Sequence, residues 1–305
     1  MGKIAFVFAG QGAQYPGMGK GLYASSPAAK GVFDACEKIR PGTLRQCFEG
    51  AKEELAQTVN TQPCLFAMDL ACAMALQEAG IQAGCAAGFS LGEVAAVAFT
   101  GMLSLEKAFE LVCARAKLMQ ACGEKAQTAM AAILKLKPDQ VEALCAEFQE
   151  VYPVNYNCPG QIVAAGIADQ IDALMARAGE MGGRAMKLNV SGGFHSPFMD
   201  EAAKGMAELT SAMDFSAPRI PLYANLTAQP YGSDAASTLS RQVNHPVRWQ
   251  TAVENMMADG VDTFVEVGAG KTLCGLIKKI GGAKLIRNVE DPETLDACVQ
   301  ALKEA

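Results

Sequence analysis

The segment Gly88-Phe89-Ser90-Leu91-Gly92 carries the first chemical signal of the sequence. It follows a short apolar run at residues 84–87 that predicts a strand, and residues 93–98 after it predict a helix. In this setting the glycines permit a strained turn that exposes the serine hydroxyl, and the helix start supplies backbone N–H groups for a developing oxyanion. A serine here could also serve only as a helix N-cap. The setting favours Ser90 as a nucleophile.

A serine nucleophile needs a general base, and the chain has 2 histidines. His195 lies in a glycine-rich stretch at residues 191–197, whose backbone can direct an imidazole. His245 precedes Pro246, which holds the residue before it extended, so that His245 is more typical of a turn. We therefore predict His195 as the base. No Asp or Glu stands out as a third member, which leaves open a full triad or a dyad oriented by an amide or a backbone carbonyl.

The helix predicted over residues 105–122 carries a cation on its apolar face. This face is formed by Leu105, Ala108, Leu111, Val112, Arg115, Met119 and Cys122. Glu106, Glu110 and Lys117 lie on the opposite face. A buried guanidinium stays charged, and its planar fork suits a carboxylate. That carboxylate could belong to an internal Asp or Glu, or, beside a nucleophilic serine, to an acyl substrate with a free acid, such as a dicarboxylic monothioester.

Two other glycine-rich segments suggest nucleotide binding but have the wrong spacing. Residues 10–12 follow the first predicted strand, yet the third glycine of a dinucleotide-binding fingerprint would fall on Tyr15. Residues 268–272 resemble the end of a phosphate-binding loop, yet its leading glycine would be Val265, inside a strand. We interpret both as tight strand-to-helix turns, and we expect no permanently bound cofactor.

The candidate residues lie in a chain that alternates short apolar strands with longer helices, as in a parallel sheet covered by helices on both faces. Between residues 123 and 189 the predicted order changes to β-α-β-β-α-β, which is typical of a ferredoxin-like unit. We therefore predict the fold class α/β, with a discontinuous large domain (1–123 and 190–305) and a small inserted subdomain (124–189). The predicted strands are at 3–8, 84–87, 128–136, 151–156, 161–167, 184–188, 220–223 and 263–267. The predicted helices are at 27–39, 63–79, 105–122, 138–149, 168–181 and 250–258, with others after Ser196, Gly270 and Pro292.

Composition excludes several classes of protein. The chain has 305 residues, of which 50% are apolar and 19% charged, so disorder is excluded, and no uninterrupted apolar run approaches the roughly 18 residues of a spanning helix. A net charge of −6 argues against nucleic-acid binding. The 11 cysteines form no Cys-x-x-Cys pair, which predicts buried thiols in a reducing compartment rather than a zinc or disulfide site. We expect a cytoplasmic protein without a metal and without a membrane partner.

Several short segments spread along the whole chain match the motifs of one family. They are FAGQGAQ at 8–14, TQP at 61–63, GFSLGE at 88–93, Arg115, NYN and PGQ at 155–161, GFHS at 193–196, PVRW at 246–249 and FVEVG at 264–268. In these residues the chain resembles the malonyl-CoA:acyl carrier protein transacylases, the loading enzymes of bacterial fatty acid synthesis. The resemblance implies an α/β-hydrolase-like core with a parallel sheet plus an inserted ferredoxin-like (βαββαβ) subdomain.

The resemblance also implies a reaction. Ser90 would take the malonyl group from malonyl-CoA, coenzyme A would leave, and the phosphopantetheine thiol of an acyl carrier protein would take the acyl group from the serine ester. His195 would act as the base and Arg115 would pair with the malonyl carboxylate. Gln11 and Leu91 would each donate a backbone N–H group to the oxyanion hole.

Four further positions receive roles only from the resemblance. Gln242 would orient the histidine through its backbone carbonyl, which accounts for the absence of an acid. Phe194, Gln62 and Asn155 would contact the substrate. We expect a monomer. An acidic carrier protein would need a local basic patch, for which Arg184 and Lys187 are candidates; the alternative is that they are only the solvated edge of a strand.

One position departs from the family pattern, because Phe89 stands where most relatives carry a histidine. Any polar contact of that histidine is lost, although the base is assigned elsewhere. Leu91 and Phe194 match the malonyl-type versions of their motifs, which favours malonyl over methylmalonyl. The alternatives are a serine thioesterase or esterase, against which the inward Arg115 argues, and a non-catalytic acyl-binding module.

Overall fold

The structure is a computed structural model that describes residues 2–190 and 192–304, so that Met1, Ser191 and Ala305 lie outside it. Its strands, β1 to β9 in chain order, are Lys3–Phe8, Cys85–Gly88, Thr128–Leu134, Val151–Cys158, Gln161–Ile167, Arg184–Lys187, Leu222–Tyr223, Val261–Val267 and Leu285–Val289. Its helices, α1 to α14, are Lys20–Ser25, Pro27–Ile39, Thr43–Glu49, Lys52–Leu55, Thr58–Glu78, Leu91–Phe99, Leu105–Lys125, Pro138–Ala146, Ala168–Glu180, Asp200–Ser211, Ala235–Arg241, Trp249–Ala258, Thr272–Ile280 and Pro292–Glu304. Two 3₁₀ turns span Pro197–Met199 and Gln242–Asn244.

A five-stranded parallel sheet in the order β7-β2-β1-β8-β9 forms the centre of the large domain. Phe8 at the end of β1 pairs with Gly88 on one side and Val267 on the other. Since these strands end at the same level, the loops that follow them meet at one edge of the sheet. That edge carries the Ser90 turn. The predicted α/β class is confirmed.

The second sheet is antiparallel, with four strands in the order β4-β5-β3-β6. One face packs under α8 and α9, and Met130 and Val163 on the other face join the main core. A bridge between Asn155 and Val247 ties the edge strand β4 to the segment before α12. The predicted boundaries of the subdomain, 124 and 189, stay a prediction.

Helix α5 begins at Thr58, five positions before the start predicted at Pro63. We expected the proline at the first turn, where its missing N–H costs nothing. Instead it lies inside the helix, and the Arg40 guanidinium donates to the Val59 carbonyl, which Pro63 cannot satisfy. This helix is long and apolar enough to span a membrane by length and composition, since an 18-residue stretch of it has a mean hydropathy of 1.2. However, 83% of that stretch is buried inside the fold.

The sequence did not predict β9, nor the helices α1, α3, α4 and α11. Strand β9 lies at an edge of the large sheet, and only Val289 is fully buried, so it lacks an apolar run. The four missed helices are each seven residues or shorter, too short for a helical period. All 11 cysteines are free thiols; burial is confirmed for nine of them, whereas Cys113 and Cys274 are partly exposed.

Candidate active site

Ser90 lies in the turn between β2 and α6 with a backbone φ of 54°, a conformation that is strained for a residue with a side chain. The flanking glycines allow the turn by their lack of a side chain. A Cβ on Gly88 would lie 2.0 Å from the Gly92 carbonyl carbon, and one on Gly92 would lie 2.3 Å from the Phe8 oxygen. The spacing Gly-x-Ser-x-Gly therefore reflects the close packing of the turn against β1.

Ser90 and His195, which are 105 residues apart, meet in the buried interior of the site. Ser90 Oγ lies 2.7 Å from His195 Nε2, and His195 Nδ1 lies 2.9 Å from the backbone oxygen of Gln242. A carbonyl oxygen can only accept a hydrogen bond, so Nδ1 carries the proton and Nε2 of the neutral ring accepts from the serine. The ring is thereby held in the tautomer that a general base requires.

The electrostatic environment keeps this imidazole neutral. Burial, followed by the nearby Arg115 guanidinium, lowers the pKa of His195 to about 4, against the opposing effect of hydrogen bonds to the backbone of Gln242 and His245. His195 also has a positive φ of 63°, so both partners of the pair occupy strained backbone positions. Near neutral pH the ring has a lone pair available for the serine proton.

Arg115 is fully buried, as the helical periodicity predicted, and its head group contacts Ser90. Nη1 donates to Gln62 Oε1 at 2.8 Å; Nη2 donates to Gln242 Oε1 at 2.8 Å and to Ser90 Oγ at 3.1 Å. Its Nε–H has no partner among the described residues, and none of the ion pairs found in them includes this guanidinium. A buried cation thus rests on neutral acceptors beside the serine hydroxyl.

Two amide side chains hold the backbone of the serine turn. Asn225 Oδ1 accepts from the Ser90 N–H at 2.7 Å, and Asn225 Nδ2 donates to the Gly88 carbonyl at 2.6 Å. Gln242 Nε2 donates to the Ser90 carbonyl at 2.6 Å. Gln242 therefore touches the site twice, through its backbone carbonyl to His195 and through its side chain to Ser90 and Arg115.

Glu93, in the first turn of α6, is a carboxylate without solvent access beneath these amides. One of its oxygens accepts from the Tyr231 hydroxyl, and the other accepts from the Asn225 N–H at 3.1 Å and from Gln242 Nε2 at 2.9 Å. Burial raises the pKa of Glu93 to about 7, while these hydrogen bonds and Arg115 act to lower it.

The two backbone N–H groups that the resemblance assigns to the oxyanion hole have no acceptor within the described residues. Within the described residues neither the Gln11 N–H nor the Leu91 N–H makes a hydrogen bond, whereas the N–H groups of Gly92 and Glu93 bond back to Phe89 and Ser90. Leu91 is the first residue of α6, where a helix leaves its N–H groups unpaired. The Gln11 side chain is turned away and donates to Thr58.

A cavity of about 260 Å³ opens beside the serine and histidine. Gln11 and Thr272 line it from the large domain, Asn155 and Val163 from the small sheet, and Phe194 from the connecting loop. Asn157 also lines it, and the buried side-chain oxygen Oδ1 of this residue has no partner within the described part of the chain. The third residue that the resemblance assigned to substrate, Gln62, contacts Arg115 and is not among the lining residues.

Phe89 and His245 complete the sequence-predicted set. The Phe89 ring packs edge-on against Trp249, with 5.5 Å between ring centroids, and lines the cavity. The His245 side chain contacts Arg241 and Asn244, as expected for a turn residue, and within the described residues it makes no hydrogen bond to the side chain of Ser90 or His195. The Lys187 ammonium pairs with Asp172 at 2.7 Å on the surface, so part of the expected basic patch is neutralised.

Sequence reasoning missed Asn225 and Tyr231 entirely and named Glu93 only as part of a motif. A usable signal existed for Glu93. It is the only charged side chain in α6, where eight of nine residues are buried, so the argument that singled out Arg115 applies to it as well. Asn225 and Tyr231 lie in loops without periodicity, where no comparable signal exists.

A serine on a strained strand-to-helix turn, a neutral histidine within hydrogen-bond distance and unpaired N–H groups at the end of a parallel sheet form the arrangement of serine acyl-transfer enzymes. Within the described ranges 2–190 and 192–304, no group of His, Cys, Asp and Glu could hold a metal ion.

Comparison with known proteins specifies the class further. Residues 5–286 match the acyl transferase domain family. The chain is 38% identical over 312 residues to the malonyl CoA-acyl carrier protein transacylase of Bacillus subtilis (strain 168), with 100% of this chain and 98% of that protein covered. The crystal structure of the malonyl CoA-acyl carrier protein transacylase from Clostridium perfringens aligns with a TM-score of 0.95 at 33% identity, over 99% of this chain and 98% of that one.

A further solved structure, described as a holo type II PKS acyl-carrier protein in complex with its malonyl-transacylase, aligns with a TM-score of 0.94 at 32% identity over 98% of this chain and 99% of that one. The chain therefore belongs to the malonyl CoA-acyl carrier protein transacylases within the acyl transferase family, as the sequence motifs predicted.

Proposed function

We propose that this protein transfers a malonyl group from malonyl-CoA to the phosphopantetheine thiol of an acyl carrier protein through a malonyl ester of Ser90. The relatives carry this activity in their names. The observation that carries the proposal is the buried Arg115 guanidinium, 3.1 Å from the Ser90 hydroxyl and held by neutral acceptors.

The Arg115 guanidinium forms no direct ion pair within the described residues, since the Glu93 charge acts on it only across Gln242, and this favours a dicarboxylic acyl group. A buried cation is costly without an anion, and its Nε–H has no partner within the described residues. The free carboxylate of a malonyl group would take that donor and neutralise the charge. A neutral acetyl group would not, so the same residue that binds malonyl discriminates against acetyl.

In the first half-reaction Ser90 Oγ attacks the thioester carbonyl while its proton moves to His195 Nε2. The negative charge that develops on the carbonyl oxygen is stabilised by the N–H groups of Gln11 and Leu91. The tetrahedral intermediate then breaks its C–S bond, and His195 returns the proton to the sulfur of coenzyme A. The Gln242 carbonyl, bonded to Nδ1–H, stabilises the transient imidazolium.

The second half-reaction reverses these steps with a different thiol. The phosphopantetheine thiol gives its proton to His195 and attacks the serine ester, the C–O bond breaks, and Ser90 regains its proton. The cavity, bounded by Phe194 and Asn155, would hold the pantetheine arm common to both thiols. Its partnerless Asn157 oxygen suits an amide N–H of that arm.

The setting of the reaction follows from the same proposal. The protein would act as a cytoplasmic monomer in fatty acid biosynthesis, with the coenzyme A thioester as a substrate and no permanently bound cofactor. Arg184 and Lys187 on the exposed strand β6 remain the candidate contacts for an acidic carrier protein.

Intact-protein mass spectrometry after brief mixing with malonyl-CoA, acetyl-CoA or methylmalonyl-CoA tests the proposal, with Ser90→Ala as the control. We expect a malonyl adduct on the wild type only, and its transfer to added acyl carrier protein. Free malonate without an adduct would instead indicate a thioesterase. Neither adduct nor turnover would indicate an acyl-binding module.

A further inference from the structure

All the side-chain partners of Glu93 belong to the region around the serine turn. Its two carboxylate oxygens accept hydrogen bonds from Tyr231, Asn225 and Gln242. Glu93 and these three partner residues are all buried. In the part of the chain that the structure describes, the Glu93 side chain makes no hydrogen bond to Ser90 Oγ or to the His195 ring. Any influence on the reaction must therefore pass through one of its partners.

Gln242 is the partner through which the influence can pass, because its amide has two chemically different ends. Its Nε2 faces three acceptors, which are the Glu93 carboxylate at 2.9 Å, the Ser90 carbonyl at 2.6 Å and Asn225 Oδ1 at 3.4 Å. A carboxylate accepts hydrogen bonds and does not donate them, so Nε2 must point toward Glu93. The amide oxygen is then left facing the opposite way.

That oxygen, Gln242 Oε1, is one of two amide oxygens that hold the Arg115 guanidinium; Gln62 supplies the other. If the Gln242 amide turned over, its NH₂ would face Nη2 of Arg115, and two donors would oppose each other. The guanidinium would lose an acceptor on the side nearest the serine hydroxyl. The direction of one amide thus controls where the cation sits.

We propose that Glu93 is a positioning residue for donor selectivity: by fixing the direction of the Gln242 amide, it holds Arg115 where the carboxylate of a dicarboxylic acyl donor binds. The inference rests on the proposed function. Its negative charge, which acts on Arg115 across Gln242, also stabilises the buried cation. Tyr231 assists by donating to the other oxygen of Glu93.

The test is Glu93→Gln, with kcat/KM of serine acylation measured for malonyl-CoA and for acetyl-CoA. A glutamine of the same shape carries no charge and can present its own NH₂ to Gln242, so the amide direction is then held only by the Ser90 carbonyl, Asn225 and Arg115. We expect the malonyl-to-acetyl ratio of kcat/KM to fall about tenfold, the size of a lost hydrogen bond to a charged group. The acetyl value itself should change little, since a neutral acyl group does not use Arg115.

Glu266→Gln is the matched control. Glu266 is also a buried glutamate, and burial raises its pKa to about 7 as well, but it accepts from the backbone N–H groups of Leu273 and Cys274 at the start of α13. The same substitution there removes a buried carboxylate without touching Gln242, so the ratio should stay at the wild-type value.

Tyr231→Phe provides a second variant should Glu93→Gln fail to fold. It keeps the Glu93 carboxyl group but removes one donor that lowers the pKa of Glu93, and it should lower the ratio in the same direction by about threefold. The inference would be overturned if Glu93→Gln and Tyr231→Phe, where they fold, kept the malonyl-to-acetyl ratio within about twofold of the wild type. It would also be overturned if Glu266→Gln lowered that ratio as much as Glu93→Gln does. A wild type that forms no malonyl adduct at all would instead overturn the proposed function.

Discussion

Two buried acidic clusters lie near the strand ends of the large sheet. The first is Glu93 with its hydrogen-bond donors and the second is Asp69 with the neighbouring Glu266, and they differ in what their carboxyl groups contact. Glu93 is bound by three donors and is linked through Gln242 to Ser90 and Arg115. Asp69, in α5, approaches Gly268 so closely that a Cβ there would lie 1.9 Å from its Oδ1, yet neither oxygen has a hydrogen-bond partner in the described residues.

Burial raises the pKa of both groups, and for Asp69 the neighbouring Glu266 adds to the rise. A perturbed pKa therefore does not separate the functional cluster from the other. The two clusters differ in their hydrogen bonds to the active site, because of the two groups only Glu93 is linked to Ser90 through a chain of directed hydrogen bonds. The comparison predicts that changes in the first cluster alter acyl transfer and changes in the second alter stability.

The largest effect should come from Arg115→Ala in the connected cluster. Malonyl transfer should fall by about a hundredfold or more, as expected when one partner of a buried charge pair is removed, while acetyl transfer should fall by less than about tenfold. Parallel kcat/KM measurements with both donors check this. Equal losses for the two donors would remove the carboxylate-binding role of Arg115.

A smaller effect concerns His195. Burial lowers the pKa of this histidine, whereas it raises the pKa of a carboxyl group. A neutral His195 is required, and with a pKa of about 4 it becomes protonated only as pH falls through that value. Acylation by acetyl-CoA, which does not use Arg115, should thus be nearly as fast at pH 5.5 as at pH 8. A histidine of ordinary pKa, about 6.5, would lose roughly tenfold over that interval. Rapid-quench rates at the two pH values distinguish the cases.

The smallest effect should come from Asp69→Ala in the unconnected cluster. Removing a buried carboxyl group that lacks partners should raise the free energy of unfolding by about 1 kcal/mol, the desolvation cost recovered less the small cavity created. Both donors should react as with the wild type. Urea denaturation at pH 7 measures the change.

Asp69→Asn, which keeps a polar group at the same place, is the control and should give no such gain. A loss of stability in Asp69→Ala would contradict the comparison by showing that Asp69 has a stabilising contact. A changed malonyl-to-acetyl ratio would contradict it more directly, because it would connect the second cluster to the site.

Local patterns in the sequence predicted the features that depend on neighbouring residues. Helix α2 and strand β5 have the predicted bounds, and the buried position of Arg115 follows from the apolar face of α7. The predicted start of α5 was wrong because the helix accommodates a proline in its interior. Arg40, which lies outside the helical pattern, donates a hydrogen bond to the carbonyl that the proline leaves unpaired. Strand β9 was missed because an edge strand needs no apolar run.

The sequence by itself determined which chemistry the chain carries: the glycine spacing that makes a strained serine turn, the histidine in a loop, and a cation on an apolar helix face. Only the tertiary structure decided which atoms meet. Asn225 reaches Ser90 across 135 residues, and Tyr231 reaches Glu93 across 138. Helical and strand periods specify which face a side chain occupies, whereas hydrogen bonds between distant loops depend on how the sheet brings their ends together.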